Sequence, residues 1–428
     1  MRRSHGPGAH EPDGLDTVRI FSEQLISKAR TASSEIASRR PPDGQMSNYS
    51  SVSYSDHDAC FLDQRGHVLS RLTVAHTADG LTQLDRAREQ LGVTRAECQV
   101  GLETAHTPLI DFLWDQGYSR VFVIPPGAIK GARRRYRQTN AHTDQSDAFL
   151  VADVLRTDPT TLHPWRPDGL IIRQLRSKVS LLHFLTKEIR RLSNRLGAVL
   201  ARYYPAALHV FHDVASPIAL QFLQAYPTPQ AAAGLSRQSF GQFARAHRYR
   251  QADKVLSAAY ARLQAAYPMA SASTVVAYHE EAVFLAQHLL AAIEHKKCEI
   301  AHLQQLFEQH EDHELFASLP GTGDFLAPAL LAKFGDDRER FPSAGSLQSI
   351  AGTCPVTEQS GKGRRVLFRQ ACDHEFRQIA QQWAKASVTQ SSWASTYWHS
   401  VREHSHSSSH AYRCLANRWF HCRTEKLC

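Results

Sequence analysis

In the stretch RQTNAHTDQSDAF, Asp144 and Asp147 stand three residues apart, directly after IKGARRRYR, in which five residues are Lys or Arg. Carboxylates of this kind can ligate a hard divalent cation such as Mg2+, which takes several oxygen ligands and shares them with substrate phosphates. A third carboxylate, Glu103, closes the apolar segment CQVGLE. If a helix begins near Asp144, the i, i+3 spacing puts both aspartates on one face of its first turn, where the macrodipole already favours negative charge. The same spacing fits plain acidic capping, and the pair alone leaves both readings open. The basic run Lys130, Arg133, Arg134, Arg135 and Arg137, with Tyr136 available to stack, fits either a phosphate-binding path or a solvated surface segment.

The elements that must position these groups follow from periodicity. DACFLDQRGHVLSRLTV is alternating and apolar on both sides of DQRGH, which predicts a hairpin. A charged helix (LTQLDRAREQLG), the strand CQVGLE, a helix (TPLIDFLWDQGY), a compact strand (RVFVIPP) and a helix from about Asp144 to Arg156 come next. Strands alternating with helices indicate an α/β domain that ends near residue 157. Beyond it, Leu175, Val179, Leu182, Leu185, Ile189, Leu192, Leu196 and Val199 recur every three or four residues, and a second stripe runs through Leu285, Leu289, Ile293, Ile300, Leu303 and Phe307. Two long helices with such stripes can pair as an antiparallel coiled coil, carry dimer contacts, or form plain bundle core.

Further along, LFASLPGTGDFLAPALLAKFG places Gly321 and Gly323 in a turn ahead of a helix. This is similar to a helix-hairpin-helix element, whose backbone N–H groups meet a DNA phosphate, although a glycine turn before any helix looks alike. The expected organisation is therefore a poorly ordered extension over 1–47, an α/β domain over 48–157, a helical or coiled-coil region over 158–312 and a helical C-terminal domain over 313–428.

Composition limits the function. A chain of 428 residues, 42% hydrophobic and 21% charged, has the make-up of a multidomain globular protein, which excludes wholesale disorder. The formal charge of +9 favours a polyanionic partner. No stretch approaches the roughly 20 apolar residues of a membrane span, and the opening MRRSHGPGAHEPDG lacks the apolar core of a signal peptide, so a soluble cytoplasmic protein is expected. Eight cysteines without a CxxC pair argue against a disulfide framework and a zinc ribbon. The tail residues His404, His406, His410, Cys414, His421 and Cys422 have zinc-ligand types but not the spacing of a standard finger.

A glutamate at a strand end, then a helix, a strand, a basic segment and an Asp-x-x-Asp helix, is the order in which RNase H-like nucleases supply metal ligands. GLETAHTP stands where one family has Gly-(Ile/Leu)-Glu-Ala-Thr, and HTDQSDAFLVADVLR where it has Lys-Thr-Asp-x-x-Asp-Ala-x-x-Leu-Ala. LPGTGDFLAPALLAKFGDDRERFPSAGSLQSIAGTCPVTEQSGK follows its Pro-Gly-x-Gly, Arg-Phe, Ala-Gly-x-x-Pro and Gln-Ser-Gly-Lys segments in order. On these segments the chain resembles the DEDD-type transposases of the insertion-sequence 110 family, which are bridge-RNA-guided recombinases.

The resemblance implies an RNase H-like (RuvC-like) N-terminal domain with Glu103, Asp144 and Asp147 as Mg2+ or Mn2+ ligands. It implies a helical C-terminal domain in which Ser360 is the nucleophile that forms a phosphoserine link to DNA, with Lys362, Arg364 and Arg365 close in sequence to neutralise phosphate. Implied partners are DNA, a structured guide RNA and further copies of the chain, in a bacterial or archaeal cytoplasm and on the nucleoid when DNA is bound. One position departs from the family: its first aspartate falls seven residues before the counterpart of Asp58, where this chain has Ser51, with Asp56 as a substitute from the following turn. The extension before residue 48 and the end at LANRWFHCRTEKLC also depart from the family pattern. A second reading follows from Ser51, namely a catalytically inactive copy that only binds nucleic acid.

Overall fold

The computed structural model describes residues 19–20, 56–103, 108–136, 143–361, 363–404 and 407–427. The chain divides into two units, 1–167 and 168–428. In the first, β1 (Arg19–Ile20), β2 (Asp56–Leu62) and β3 (Val68–Ala75) precede helix α1 (Ala78–Gln90), β4 (Gln99–Leu102) and α2 (Pro108–Asp115). Strand β5 (Arg120–Val123), α3 (Pro126–Arg135) and α4 (Asp144–Thr157) complete the unit. The expected hairpin is β2–β3, paired antiparallel from Asp56↔Ala75 to Leu62↔Val68. The alternating segments form a parallel sheet in the order β1-β4-β5. Two elements are additional to the reading of the sequence: β1, inside the segment expected to be poorly ordered, and α3, which winds the basic run into a helix.

The period-2 geometry of a strand sends successive side chains to opposite faces. In β2, Ala59 and Phe61 enter a core with Leu81, Leu84, Leu109 and Leu113, while Cys60 and Leu62 enter another with Ile129, Leu150, Val151 and Leu155. Helices therefore cover both faces, the layering expected of an α/β unit.

The second unit opens with α5 (Leu170–Tyr203), followed by α6 (Pro205–Val210), α7 (Pro217–Ala225), α8 (Pro229–Ala233), α9 (Arg237–Ala246) and α10 (Asp253–Leu263). Helix α11 (Ala272–Phe307) then returns along α5, because Lys178 meets Glu299, Arg195 meets Glu281 and Arg202 meets Tyr278, an antiparallel sequence of contacts. The two stripes face each other and feed two cores. Leu175, Val179 and Leu182 pack with Leu303 and Phe307 at one end, and Leu196 and Val199 pack with Leu285 and Leu289 at the other.

After α11 come α12 (His313–Ala317), α13 (Gly323–Phe334) and α14 (Ala344–Ile350), then an antiparallel ribbon of β6 (Val356–Ser360) and β7 (Gly363–Leu367), and finally α15 (His374–Gln390), α16 (Ser392–Glu403) and α17 (Ser408–Leu427). Phe334, Phe376, Trp383 and Phe420 lock these helices together in a fully buried aromatic cluster. The architecture is thus α/β followed by all-α, with a β-ribbon inserted in the helical part. Among the described residues no helix is long and apolar enough to cross a membrane.

Candidate active site

Glu103 follows directly on β4, and its position is set by a glycine two residues earlier. A Cβ on Gly101 would lie 2.8 Å from Val151 Cγ1 and 3.5 Å from Leu155 Cδ2, so the missing side chain lets α4 lie against β4. The start of α4 is fixed by a capping box. Thr143 Oγ1 accepts from the Ser146 backbone N–H at 3.2 Å, and Ser146 Oγ accepts from the Thr143 N–H at 3.3 Å. Asp144 and Asp147 consequently stand in the first helical turn. The cap is Thr143 and neither aspartate, and both acids stand in the first turn, where the helix end favours negative charge.

Asp147 accepts a hydrogen bond from Arg133 of α3, both side chains being nearly buried at 14% and 12% exposure. Burial pushes the Glu103 carboxyl above its ordinary range, and Asp147 and Asp144 push it further, with the Arg133 guanidinium opposing them. Glu103 is thus within electrostatic reach of both aspartates, and the Arg133 guanidinium serves Glu103 and Asp147. Their ligand oxygens do not all lie within 4.8 Å of one another, so the set is open and its like charges repel. A half-buried carboxyl held up by like charges is what a hard dication relieves, and an all-oxygen donor set suits Mg2+ or Mn2+. The residues fit such an ion.

The basic run divides by direction. Arg133 turns inward to Asp147, and Arg135 donates to Thr157 Oγ1 at 3.1 Å and lies 3.4 Å from Asp158. Lys130 and Arg134 are exposed, and Tyr136 is 40% exposed with its ring edge-on to Phe149 at 5.2 Å. Asp56 is exposed at the start of β2, and Asp58 accepts from Thr73 Oγ1 across the hairpin at 2.5 Å. Ser51, Arg137, Lys362 and His406 lie outside the described residues.

In the second unit, Gly321 has φ +80° and a Cβ there would meet the Ala386 carbonyl carbon at 2.6 Å, so this glycine serves a close approach between the turn and α15. Gly323, with φ +53°, opens α13, is exposed and has open space around it. Ser360 is the last residue of β6, exposed at the tip of the ribbon, with Gly361 (φ +55°) in the turn. Arg364 and Arg365 are exposed on β7 and pair in register with Gln359 and Glu358.

Two family models match the chain. A DEDD-type IS110 transposase model covers residues 52–205, and a model of the transposase IS116/IS110/IS902 family covers residues 313–399. The chain belongs to the IS110 family of transposases. Among its relatives, a protein of Streptomyces coelicolor named for the mini-circle transposase of IS117 is 28% identical over 380 residues, 86% of this chain and 91% of its own length. The IS900 insertion-element protein of Mycobacterium paratuberculosis is 29% identical over 57% of this chain and 60% of its own. The IS110 insertion-element protein of S. coelicolor is 28% identical over 52% of this chain and 54% of its own. In this IS110-family chain Glu103, Asp144 and Asp147 fall in the first matched segment, and Gly321, Gly323, Ser360, Arg364 and Arg365 in the second; Ser51 is one residue before the first.

Three features escaped the sequence reading: the role of Gly101, the Arg133–Asp147 pair and the ribbon beneath Ser360. A signal for the last was present. Gly-Lys between two residues able to extend is a two-residue hairpin turn with glycine at its first position.

Proposed function

We propose that this IS110-family chain is an enzyme that cuts and rejoins DNA during transposition of its insertion sequence, using a metal-binding carboxylate set and the Ser360 nucleophile under the guidance of an RNA from the element. The observation that carries this reading is the charge-crowded trio Glu103, Asp144 and Asp147 at the end of a parallel strand and the start of the facing helix. That arrangement, with the strand order around it, supports an RNase H-like domain. Glu103, Asp144 and Asp147 would hold the divalent cation, Mg2+ or Mn2+, which when bound withdraws charge from phosphate oxygens. Arg133 keeps Asp147 oriented and offsets part of the trio's charge.

Ser360 Oγ attacks the scissile phosphorus, its proton passes to solvent or base, and one deoxyribose oxygen leaves as the phosphoserine ester forms. The ester conserves the bond for the rejoining step. Arg365, on the Ser360 face of the ribbon, and, from its place in the sequence, Lys362 neutralise charge on the attacked phosphate, while Arg364 on the opposite face, Lys130 and Arg134 of α3 and, by sequence position, Arg137 grip nucleic acid away from it. Gly323 offers its exposed helix start to the backbone. RNA guidance and action on the nucleoid follow from the family resemblance, while the α5–α11 pair reads as an antiparallel coiled coil within the chain, from the periodicity of its two stripes.

Ser51 supports a second reading, a copy that binds nucleic acid without chemistry. Both are tested by a covalent-adduct assay: protein, Mg2+, element-end DNA and RNA transcribed from the flanking element, resolved on a denaturing gel beside Ser360→Ala and Ser51→Asp. An adduct lost in Ser360→Ala is the expected outcome. An adduct formed only by Ser51→Asp moves the natural chain to the second reading, and none from any variant removes the first.

A further inference from the structure

We propose that the β6–β7 ribbon is a duplex-DNA reader that lies in the major groove through the face bearing Thr357, Gln359, Arg364 and Val366. The proposal rests on the reading of the chain as a DNA-acting transposase and adds the element, face and groove.

The ribbon pairs with no other strand among the described residues, and its residues 357–361 and 363–367 are all exposed. A two-stranded ribbon on its own is marginally stable in water, so one that buries neither face lacks an intramolecular reason to exist. Its second strand ends in Val366 and Leu367 and is followed by Phe368, three consecutive large apolar residues at 61%, 42% and 45% exposure. Such a run is unfavourable on a free surface unless something covers it. The foot is held firmly, with the Phe368 ring 4.4 Å from the Arg377 guanidinium on one α-helix and 4.9 Å from that of Arg413 on another.

Charge and register identify the occupant and the face. Residues 356–369 carry Lys362, Arg364, Arg365 and Arg369 against a single acid, Glu358, which selects a polyanion. Directly opposed residues share a face. One face therefore holds the Glu358–Arg365 pair with Ser360, and the other holds Gln359–Arg364 and Thr357–Val366. The second face has no acid. It offers an arginine fork and an amide for base edges, and methyl groups for the thymine methyl. A B-form major groove admits a two-stranded ribbon, whereas the deep, narrow major groove of A-form RNA does not, so the occupant is duplex DNA.

The test uses the full chain and two fluorescein-labelled probes, a mixed-sequence DNA duplex and an RNA hairpin, read by anisotropy across a salt series, with guanine-N7 methylation interference on the DNA. Arg364→Ala and Val366→Ser replace exposed groups, and unchanged melting temperatures confirm that both fold. Arg364→Ala is expected to weaken DNA binding about tenfold, to leave the salt slope nearly unchanged and to erase part of the N7 interference. Val366→Ser is expected to weaken binding with the slope unchanged. Normal DNA binding by both variants, beside weakened binding in Lys130→Ala/Arg134→Ala, overturns the ribbon and leaves the DNA reading standing. Ribbon variants that affect only the RNA hairpin overturn the choice of duplex DNA. No DNA binding by the natural chain overturns this inference together with the reading it rests on.

Discussion

Two acidic centres of the first unit differ in how their charge is answered. Asp85 on α1 accepts hydrogen bonds from Arg88 Nε at 3.1 Å, Arg95 Nη2 at 2.6 Å and the Tyr118 hydroxyl at 2.6 Å. Burial alone would raise its carboxyl, yet these three donors hold it well below the ordinary carboxylate range. Glu103 is also half-buried, but its strongest electrostatic neighbours after desolvation include Asp147 and Asp144, and its carboxyl is held up. A saturated acid of the first kind ties helices and loops together. A crowded acid of the second kind stores unfavourable charge that a cation can relieve.

The largest expected separation between the two is in stability. Asp85→Ala leaves two arginines short of their partner in a buried network and should cost about 3–5 kcal/mol, read by urea unfolding. Glu103→Gln should cost nothing in metal-free buffer, since it removes a repelling charge. Equal losses in the two variants would collapse the distinction.

A smaller effect tests how the crowded centre is built. Gly101→Ala forces α4 away from β4 and should cost about 1–3 kcal/mol by overpacking. Because the shift falls between Glu103 and the aspartates, the rise in melting temperature that Mn2+ gives the natural chain should also shrink. A variant that is destabilised yet keeps the full Mn2+ response would show that helix placement does not set the site.

Arg133→Ala sharpens the comparison in the opposite direction. Without the guanidinium that answers Asp147, the trio carries more unrelieved charge, so the metal-free protein should lose about 1–3 kcal/mol and the Mn2+-induced stabilisation should grow. If that response vanishes instead, the orientation that Arg133 gives Asp147 outweighs the charge it offsets.

These contrasts also mark what the sequence could disclose. The β2–β3 hairpin and the two long helices are legible because their apolar residues recur at periods of two and 3.6. Glu103, Asp144 and Asp147 are legible as acids at predicted element ends, and α4 begins where the motif requires. Helix α3 is hidden because only Ile129 and Ala132 of its ten residues are buried, which leaves too little apolar period among the basic residues. The inward turn of Arg133 depends on α4 being packed beside α3, a tertiary fact with no local signature. The ribbon is hidden for the complementary reason: strands that bury nothing show no alternation.

The finest test is the pH dependence of the two centres, which must have opposite signs. The folded state holds the Asp85 proton more weakly than the unfolded chain does. Its contribution is therefore complete above the unfolded carboxyl value of about 3.9 and is lost as pH falls toward the depressed folded value. Glu103 is raised in the fold, so its contribution favours folding at low pH and is lost as pH rises through the folded value. The stability of Glu103→Gln relative to the natural chain, measured without divalent ions, should therefore increase with pH, while that of Asp85→Asn should fall over the acidic limb. Added Mn2+ should cancel the first trend and leave the second untouched, because only the crowded carboxylates gain a partner. A flat Glu103→Gln difference would mean that the charge around Glu103 is already satisfied by the protein, and the trio would then belong with Asp85 among the structural acids.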